Sequence, residues 1–514
     1  MGFYIMQLHI KLVLHQITKT IMSDLTFIPA SQLARMIQER QVSSMQVLNA
    51  YLQQISKYNS QLNAICTLDA ENALKRAKEA DEALARGENW GILHGVPITI
   101  KDAFETAGLR TTGGYKPLKD YIPKQDATVV ARMRAAGAII LGKTNLANAS
   151  GDYQGINEIF PRVNNPWNFN YTPGGSSSGG AAAVAAGLST LDICSDFGGS
   201  IRQPAHFCGL YGLKPTDRRV PTTGNLPEGI GSIRQMMTVG ALARSIEDLR
   251  LTLSLIAGAD SRQPDIPPVP LDIPSKRNLQ DLRIAWIDET SIFPVANEIK
   301  LAMQNVAKKL TDVGGNIERW QANFDFLAAW QIYYRLGAYI VPFTQVQDFD
   351  YFRTNLTFLW QEATTGNQEL RKLSNVPGIA FSTGLNPTLK GYFETLQERD
   401  RITTQFDNEL ENWDVLLCPV AMTPAFTHRL RGVAVEIDKC KVPYMMASGA
   451  YTVPFNLTGH PVVVIPIGQT EDELPIGMQI VGKRWKEMEL LSIAQQIDNA
   501  IGGFQHPPGY YSNS

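Results

Sequence analysis

Five short apolar runs lie along the chain with helical patterns between them, and this alternation limits the fold more than any other feature. They are "VPITI" (96–100), "AIILG" (138–142), "RIAWI" (283–287), "HPVVVIPIG" (460–468) and "IGMQIVG" (476–482). Each is too short for a helix and too continuously apolar for a strand with one wet face, so each reads as a strand buried on both sides. The segments between them carry helical periodicity. Ser43 and Gln46 fit a capping box, after which Val47, Leu48, Tyr51, Leu52 and Ile55 fall on one helical face. "AENALKRAKEADEALARG" (70–87) is a second helix, polar on one side and closed by Gly87. Buried strands alternating with helices predict an α/β fold, a large twisted sheet covered by helices on both faces.

The Pro-rich piece "QPDIPPVPLDIP" (263–274) reads as a surface connection. Strand patterns continue on both sides of it, so one domain over 23–505 with an internal crossover loop is expected, followed by a tail, 506–514. Residues 1–22 are apolar but broken by His9, Lys11, His15 and Lys19. They fall short of the ~18 apolar residues a membrane helix needs, and no small-residue cleavage site follows. They read as a mis-assigned start ahead of Met22, with an amphipathic surface helix as the other reading. A cytoplasmic protein with no transmembrane segment is expected.

Composition excludes several function classes. A net charge of -2 across 514 residues gives no support for a nucleic-acid surface. The five cysteines form no C-x-x-C pair, which argues against a zinc site and a disulfide framework. The seven histidines form no H-x-x-x-H, so no metal and no other cofactor is expected.

"TPGGSSSGGAAAVAAG" (172–187) resembles a flexible linker in composition, yet it runs into "AAAVAAG", a strong helix former. A P-loop would need a Lys after the second glycine, and none follows. The stretch reads as a buried small-residue helix entered through a glycine turn, with backbone close to something and hydroxyls at hand. Two further stretches join it: "HGVPITIKDAF", with Lys101 at the end of an apolar strand, and "SDFGGSIRQPAHFCGLYGLKPT", with a second Gly-Gly-Ser.

Together these three stretches resemble the amidase signature family. "GVPITIKD", "PGGSS" and "DFGGSIRQPAHFCGLYGLKPT" match its pattern, with 75 residues from Lys101 to Ser176 and 24 from Ser176 to Ser200. "RVNNPWN" and "VPFNLTGHPVVVIPIG" also match, and the resemblance spans about Leu25 to Asn499. Ser178 and Gly180 stand where many members read Gly and Ser, and Phe197 replaces a common Thr or Ile.

The resemblance implies an amidase-signature fold and a Ser–cis-Ser–Lys triad. Ser200 is then the nucleophile, Ser176 the relay and Lys101 the base. Lys101 serves as a base only when neutral, which burial favours; Ile98 and Ile100 suit such burial, and Asp102 points to the opposite face of the strand. Phe197, Gly198 and Gly199 would aim backbone N–H groups at one oxyanion, and Ser150 would line the pocket. Asp196 and Arg202 would brace the loop. The expected activity is hydrolysis of a small-molecule amide to its acid and ammonia or amine. Thirteen aromatic residues in 320–360 point to core and pocket wall together, hence to an apolar acyl or aryl group. A homodimer is one assembly open to it. The competing reading is the glutaminase (A) subunit of a tRNA-dependent amidotransferase. "GGSIRQPA" fits that subfamily, whereas "LKPTDRRVPTTGNLPEGIG" departs from the "YGRVSRYG" run expected after the signature.

Overall fold

The computed structural model describes residues 25–226, 235–321, 324–340, 349–384 and 387–511. The N-terminal 1–22 and residues 341–348 of the aromatic stretch lie outside them.

One mixed sheet of eleven strands runs through the chain. Its strands are β1 (Ile65–Leu68), β2 (Pro97–Lys101), β3 (Ile139–Thr144), β4 (Leu191–Asp196), β5 (Tyr211–Lys214), β6 (Thr238–Ala243), β7 (Arg283–Trp286), β8 (Asn316–Arg319), β9 (Val415–Pro419), β12 (Val462–Gln469) and β13 (Pro475–Gly482). A small hairpin, β10 (Val435–Ile437) with β11 (Cys440–Val442), stands apart. The order in the large sheet is β1-β3-β2-β4-β6-β5-β12-β13-β9-β7-β8. β2 pairs in parallel with β3 and β4, and β7 with β8 and β9; the remaining pairs are antiparallel. The five apolar runs are β2, β3, β7, β12 and β13. In β2, β3, β4, β9 and β13 every residue is buried, as strands covered by helices on both faces must be.

The helix Ser44–Leu62 starts where its sequence says it should: the Gln46 N–H donates to Ser43 Oγ at 3.0 Å and the Ser43 N–H to Gln46 Oε1 at 2.8 Å. It buries Val47, Leu48, Tyr51 and Ile55, while Leu52 is half-buried. The helix Ala70–Ala85 turns a face of Ala73, Ala77, Ala80 and Ala83 inward. The Pro-rich 263–274 forms no regular element, and the sheet takes strands from either side of it.

The helix Ser178–Ala185 is buried at every residue. Its small side chains let it lie directly on the sheet. A Cβ on Gly179 would stand 2.4 Å from the Ala64 carbonyl oxygen, and one on Gly180 2.6 Å from Asp192 Oδ1. Larger residues there would push the helix, and the serines before it, off the strand ends.

Candidate active site

Two parallel strands and the glycine turn meet at one point. β2 ends in Lys101, and its neighbour β4 ends in Ser195 and Asp196, just before the second Gly-Gly-Ser. Lys101 Nζ lies 2.7 Å from Ser176 Oγ and 3.3 Å from Ser195 Oγ, with Lys101 and Ser176 wholly buried. Burial brings the ammonium down to about 8, against the pull of Cys194, Asp196 and Asp192. Asp102, next in sequence, faces elsewhere: it accepts from the Thr112 N–H at 3.0 Å and sits 3.7 Å from Lys143.

The peptide between Gly175 and Ser176 is cis. The turn is held from outside the stretch, the Gly175 N–H donating to Gln203 Oε1 at 3.1 Å. Ser200 is tied to the same turn through the Ser177 N–H, which donates to the Ser200 carbonyl at 3.2 Å. Ser200 keeps 8% of its surface exposed against none for Ser176, so of the pair it is the one reachable from outside.

The loop 196–200 is pinned by partners on its carbonyl side. The Phe197 carbonyl accepts from Tyr333 Oη at 3.2 Å, and the Gly198 carbonyl from Tyr153 Oη at 2.8 Å and Thr452 Oγ1 at 2.7 Å. A trans peptide places its N–H opposite its carbonyl. The Gly198 N–H therefore points away from Tyr333. It has no acceptor among the described residues, nor do the N–H groups of Phe197 and Ser200. Gly199 differs: its N–H donates to Asp196 Oδ1 at 2.8 Å. Its φ of +122° belongs to glycine, and a Cβ there would stand 2.6 Å from Thr452 Oγ1.

Asp196 and Arg202 form a buried pair at 2.8 Å. Burial alone would raise the Asp196 carboxyl, but the Arg202 guanidinium outweighs it and holds the acid well below the usual carboxylate range. Ser150, in a turn with left-handed φ of +58°, buries a hydroxyl that has no hydrogen-bond partner among the described residues.

The structure thus gathers Lys101, Ser176 and Ser200 with the loop of Phe197, Gly198 and Gly199. Sequence reasoning missed Ser195, the second hydroxyl on Lys101, and the anchors Tyr153, Thr452, Tyr333 and Gln203. Gln203 stands inside a matched motif and Thr452 just before one, but nothing local marks their side chains for the turn or the loop. No helix of the described residues is long and apolar enough to cross a membrane.

A family model described as amidase matches residues 46–491. The A subunit of the glutamyl-tRNA(Gln) amidotransferase of Carboxydothermus hydrogenoformans is 33% identical over 490 residues, covering 92% of this chain and 97% of that protein. A crystal structure of an amidase superposes with a TM-score of 0.75 at 27% identity, over 92% of this chain and all of the other. The 6-aminohexanoate cyclic dimer hydrolase shares the fold, with a TM-score of 0.76 at 24% identity over 94% of this chain and 99% of the other.

Proposed function

The chain belongs to the amidase family, enzymes acting on C–N amide bonds, and from that premise we propose that it hydrolyses a carboxylic amide through an acyl-enzyme on Ser200. The observation that carries the proposal is the wholly buried amine of Lys101, 2.7 Å from Ser176 Oγ. A neutral Lys101 accepts the proton of Ser176 as Ser176 takes that of Ser200, and Ser200 Oγ attacks the carbonyl carbon. The open N–H groups of Phe197, Gly198 and Ser200 receive the oxyanion. Gly199 contributes through its backbone freedom, since Asp196 holds its N–H. The relay then returns a proton to the leaving nitrogen, and water, activated by the same relay, frees the acid. Hydrolysis of an amide by the wild type and its loss in Ser200→Ala test this reading.

For the substrate, the relatives support the glutaminase reading above the generic one. The amidotransferase protein of Carboxydothermus hydrogenoformans, named for glutamyl-tRNA(Gln), matches nearly the whole chain. On that reading the chain releases ammonia from glutamine and works with partner subunits. The apolar-amide reading keeps one observation of its own, the aromatic wall where the Phe197 and Tyr333 rings meet at 5.6 Å. Co-purification with partner subunits and glutamine turnover support the first. Turnover of aryl amides by the isolated chain, with glutamine untouched, supports the second.

A further inference from the structure

Each peptide of the loop 196–200 whose N–H is open has a hydrogen-bond donor on its carbonyl side. The Gly199 carbonyl, on the peptide of the Ser200 N–H, accepts from the Gln203 N–H at 2.8 Å, at the start of the helix Arg202–Cys208. The Asp196 carbonyl, on the peptide of the Phe197 N–H, accepts from Thr238 Oγ1 at 3.2 Å and Asn456 Nδ2 at 3.3 Å. The Phe197 carbonyl, on the peptide of the Gly198 N–H, accepts from Tyr333 Oη at 3.2 Å, and no other donor reaches it among the described residues. The peptide between Gly198 and Gly199 differs. Its carbonyl holds Tyr153 and Thr452, but its N–H is spent on Asp196.

The other side-chain and backbone donors have duties of their own. Gln203 uses a main-chain N–H that belongs to its helix. Asn456 also donates to Asp196 Oδ1 at 2.9 Å and to the Met236 carbonyl at 3.1 Å. The Tyr333 hydroxyl makes one hydrogen bond among the described residues, the one to Phe197. Tyr333 comes from the middle of the helix Phe326–Ile340, which is held firmly around it. Trp330 and Leu336, one turn before and one after, are wholly buried, and Trp330 Nε1 donates to the Ser374 carbonyl at 3.0 Å. The Tyr333 ring meets that of Phe197 at 5.6 Å. Its hydroxyl and that of Tyr153 close over Gly198, where a Cβ would stand 2.6 Å from the first oxygen and 3.3 Å from the second. Burial lifts the Tyr333 phenol well above its usual range, so it keeps its proton and remains a donor.

A hydrogen bond accepted by a carbonyl polarises the amide, strengthens the N–H on its far side and fixes the plane of the peptide. We propose that Tyr333 is a positioning residue for the oxyanion: by donating to the Phe197 carbonyl it polarises and orients the peptide whose other end, the Gly198 N–H, meets the reacting oxygen. Tyr333 touches neither substrate nor Ser200, and its proton stays in place throughout. The inference rests on the acyl-enzyme reading, in which charge grows on that oxygen only as Ser200 attacks. Tyr333 therefore stabilises the transition state and leaves ground-state binding alone. A phenol that only filled space would not divide its effect in this way.

The test is inactivation by a fluorophosphonate. Ser200 Oγ bonds to phosphorus, fluoride leaves, and the phosphoryl oxygen takes the oxyanion's place. The saturating rate and the half-saturating concentration are measured for the parent protein and for Tyr333→Phe, which keeps the ring against Phe197. The rate falls about tenfold, short of the ~10²–10³ that a deleted donor costs, because the Gly198 N–H itself remains. The half-saturating concentration stays within about twofold of the parent's. 3-Fluorotyrosine placed at position 333 is a stronger donor of nearly the same volume. It raises the rate by about twofold, and it serves where Tyr333→Phe does not fold. An unchanged rate in Tyr333→Phe, a loss confined to the half-saturating concentration, or a fluorotyrosine protein no faster than the parent overturns the role of Tyr333; labelling of the parent at Ser200, located by peptide mass, then leaves the acyl-enzyme reading standing. A parent protein labelled elsewhere or not at all sinks that reading and this inference with it.

Discussion

Replacing Lys101 separates a base from a structural cation, and the structure sets the size of the effect. A lysine in water titrates near ~10.4, so at pH 7 fewer than about one in a thousand is neutral. Burial brings Lys101 to about 8, where about one in ten is neutral at pH 7 and about nine in ten at pH 9. The base must be neutral, and it is neutral above its pKa. kcat/KM for an amide therefore rises with pH, by about tenfold from pH 7 to pH 9, and then levels. Lys214, which burial brings to about 7 beside Arg202 and Asp196, titrates in the same window, so variants must assign the limb. Lys101→Ala loses most amide hydrolysis, while activated esters suffer less because their leaving groups need little protonation. The residual esterase activity loses the acid limb. Lys101→Arg does not rescue, because a guanidinium stays charged at any working pH. The assay is the pH dependence of kcat/KM for one amide and one p-nitrophenyl ester across the three proteins. A Lys101→Arg enzyme with near-normal amide turnover, or an acid limb intact in Lys101→Ala, refutes the assignment.

Ser200→Ala abolishes covalent labelling by a fluorophosphonate; an intact-mass shift that persists in the variant means another residue is the nucleophile. Asp196→Asn leaves the Arg202 charge buried without its partner and destabilises the fold by about 3–5 kcal/mol, read as a lowered Tm; an unchanged Tm contradicts the bracing role. Gly175→Ala places a Cβ 2.6 Å from the Asp152 carbonyl oxygen and 2.7 Å from the Gln154 nitrogen, so backbone must move beside Ser176. Labelling of Ser200 slows by about a hundredfold, the cost of about 1 Å of misplacement, and labelling at the parent rate shows that the turn absorbs the methyl group.

The local signals in the chain were enough for five of the strands of its large sheet, its best-capped helix and its small-residue helix, although β9, "VLLCP", is as apolar as any of the five and was passed over. Strand period, capping chemistry and side-chain size act over a few residues, and a sequence displays them directly. Lys101, Ser176 and Ser200 were legible for another reason: each sits in a dense motif whose pattern resembles that of a family. Strand β4 was not legible. Its Asp192, Ser195 and Asp196 break the apolar pattern, yet all three are buried. Thr99 and Thr144 from β2 and β3 donate to Asp192 at 2.6 and 3.0 Å, and such partners exist only once the strands are paired. The same holds for the chemistry of the site. No sequence rule said that the Gly199 N–H would go to Asp196 rather than stay open with its neighbours, or that Tyr333, from 136 residues away, would hold the Phe197 carbonyl. Sequence named the lysine; only the folded sheet removes it from water, and desolvation by atoms distant along the chain is what makes its amine able to accept a proton.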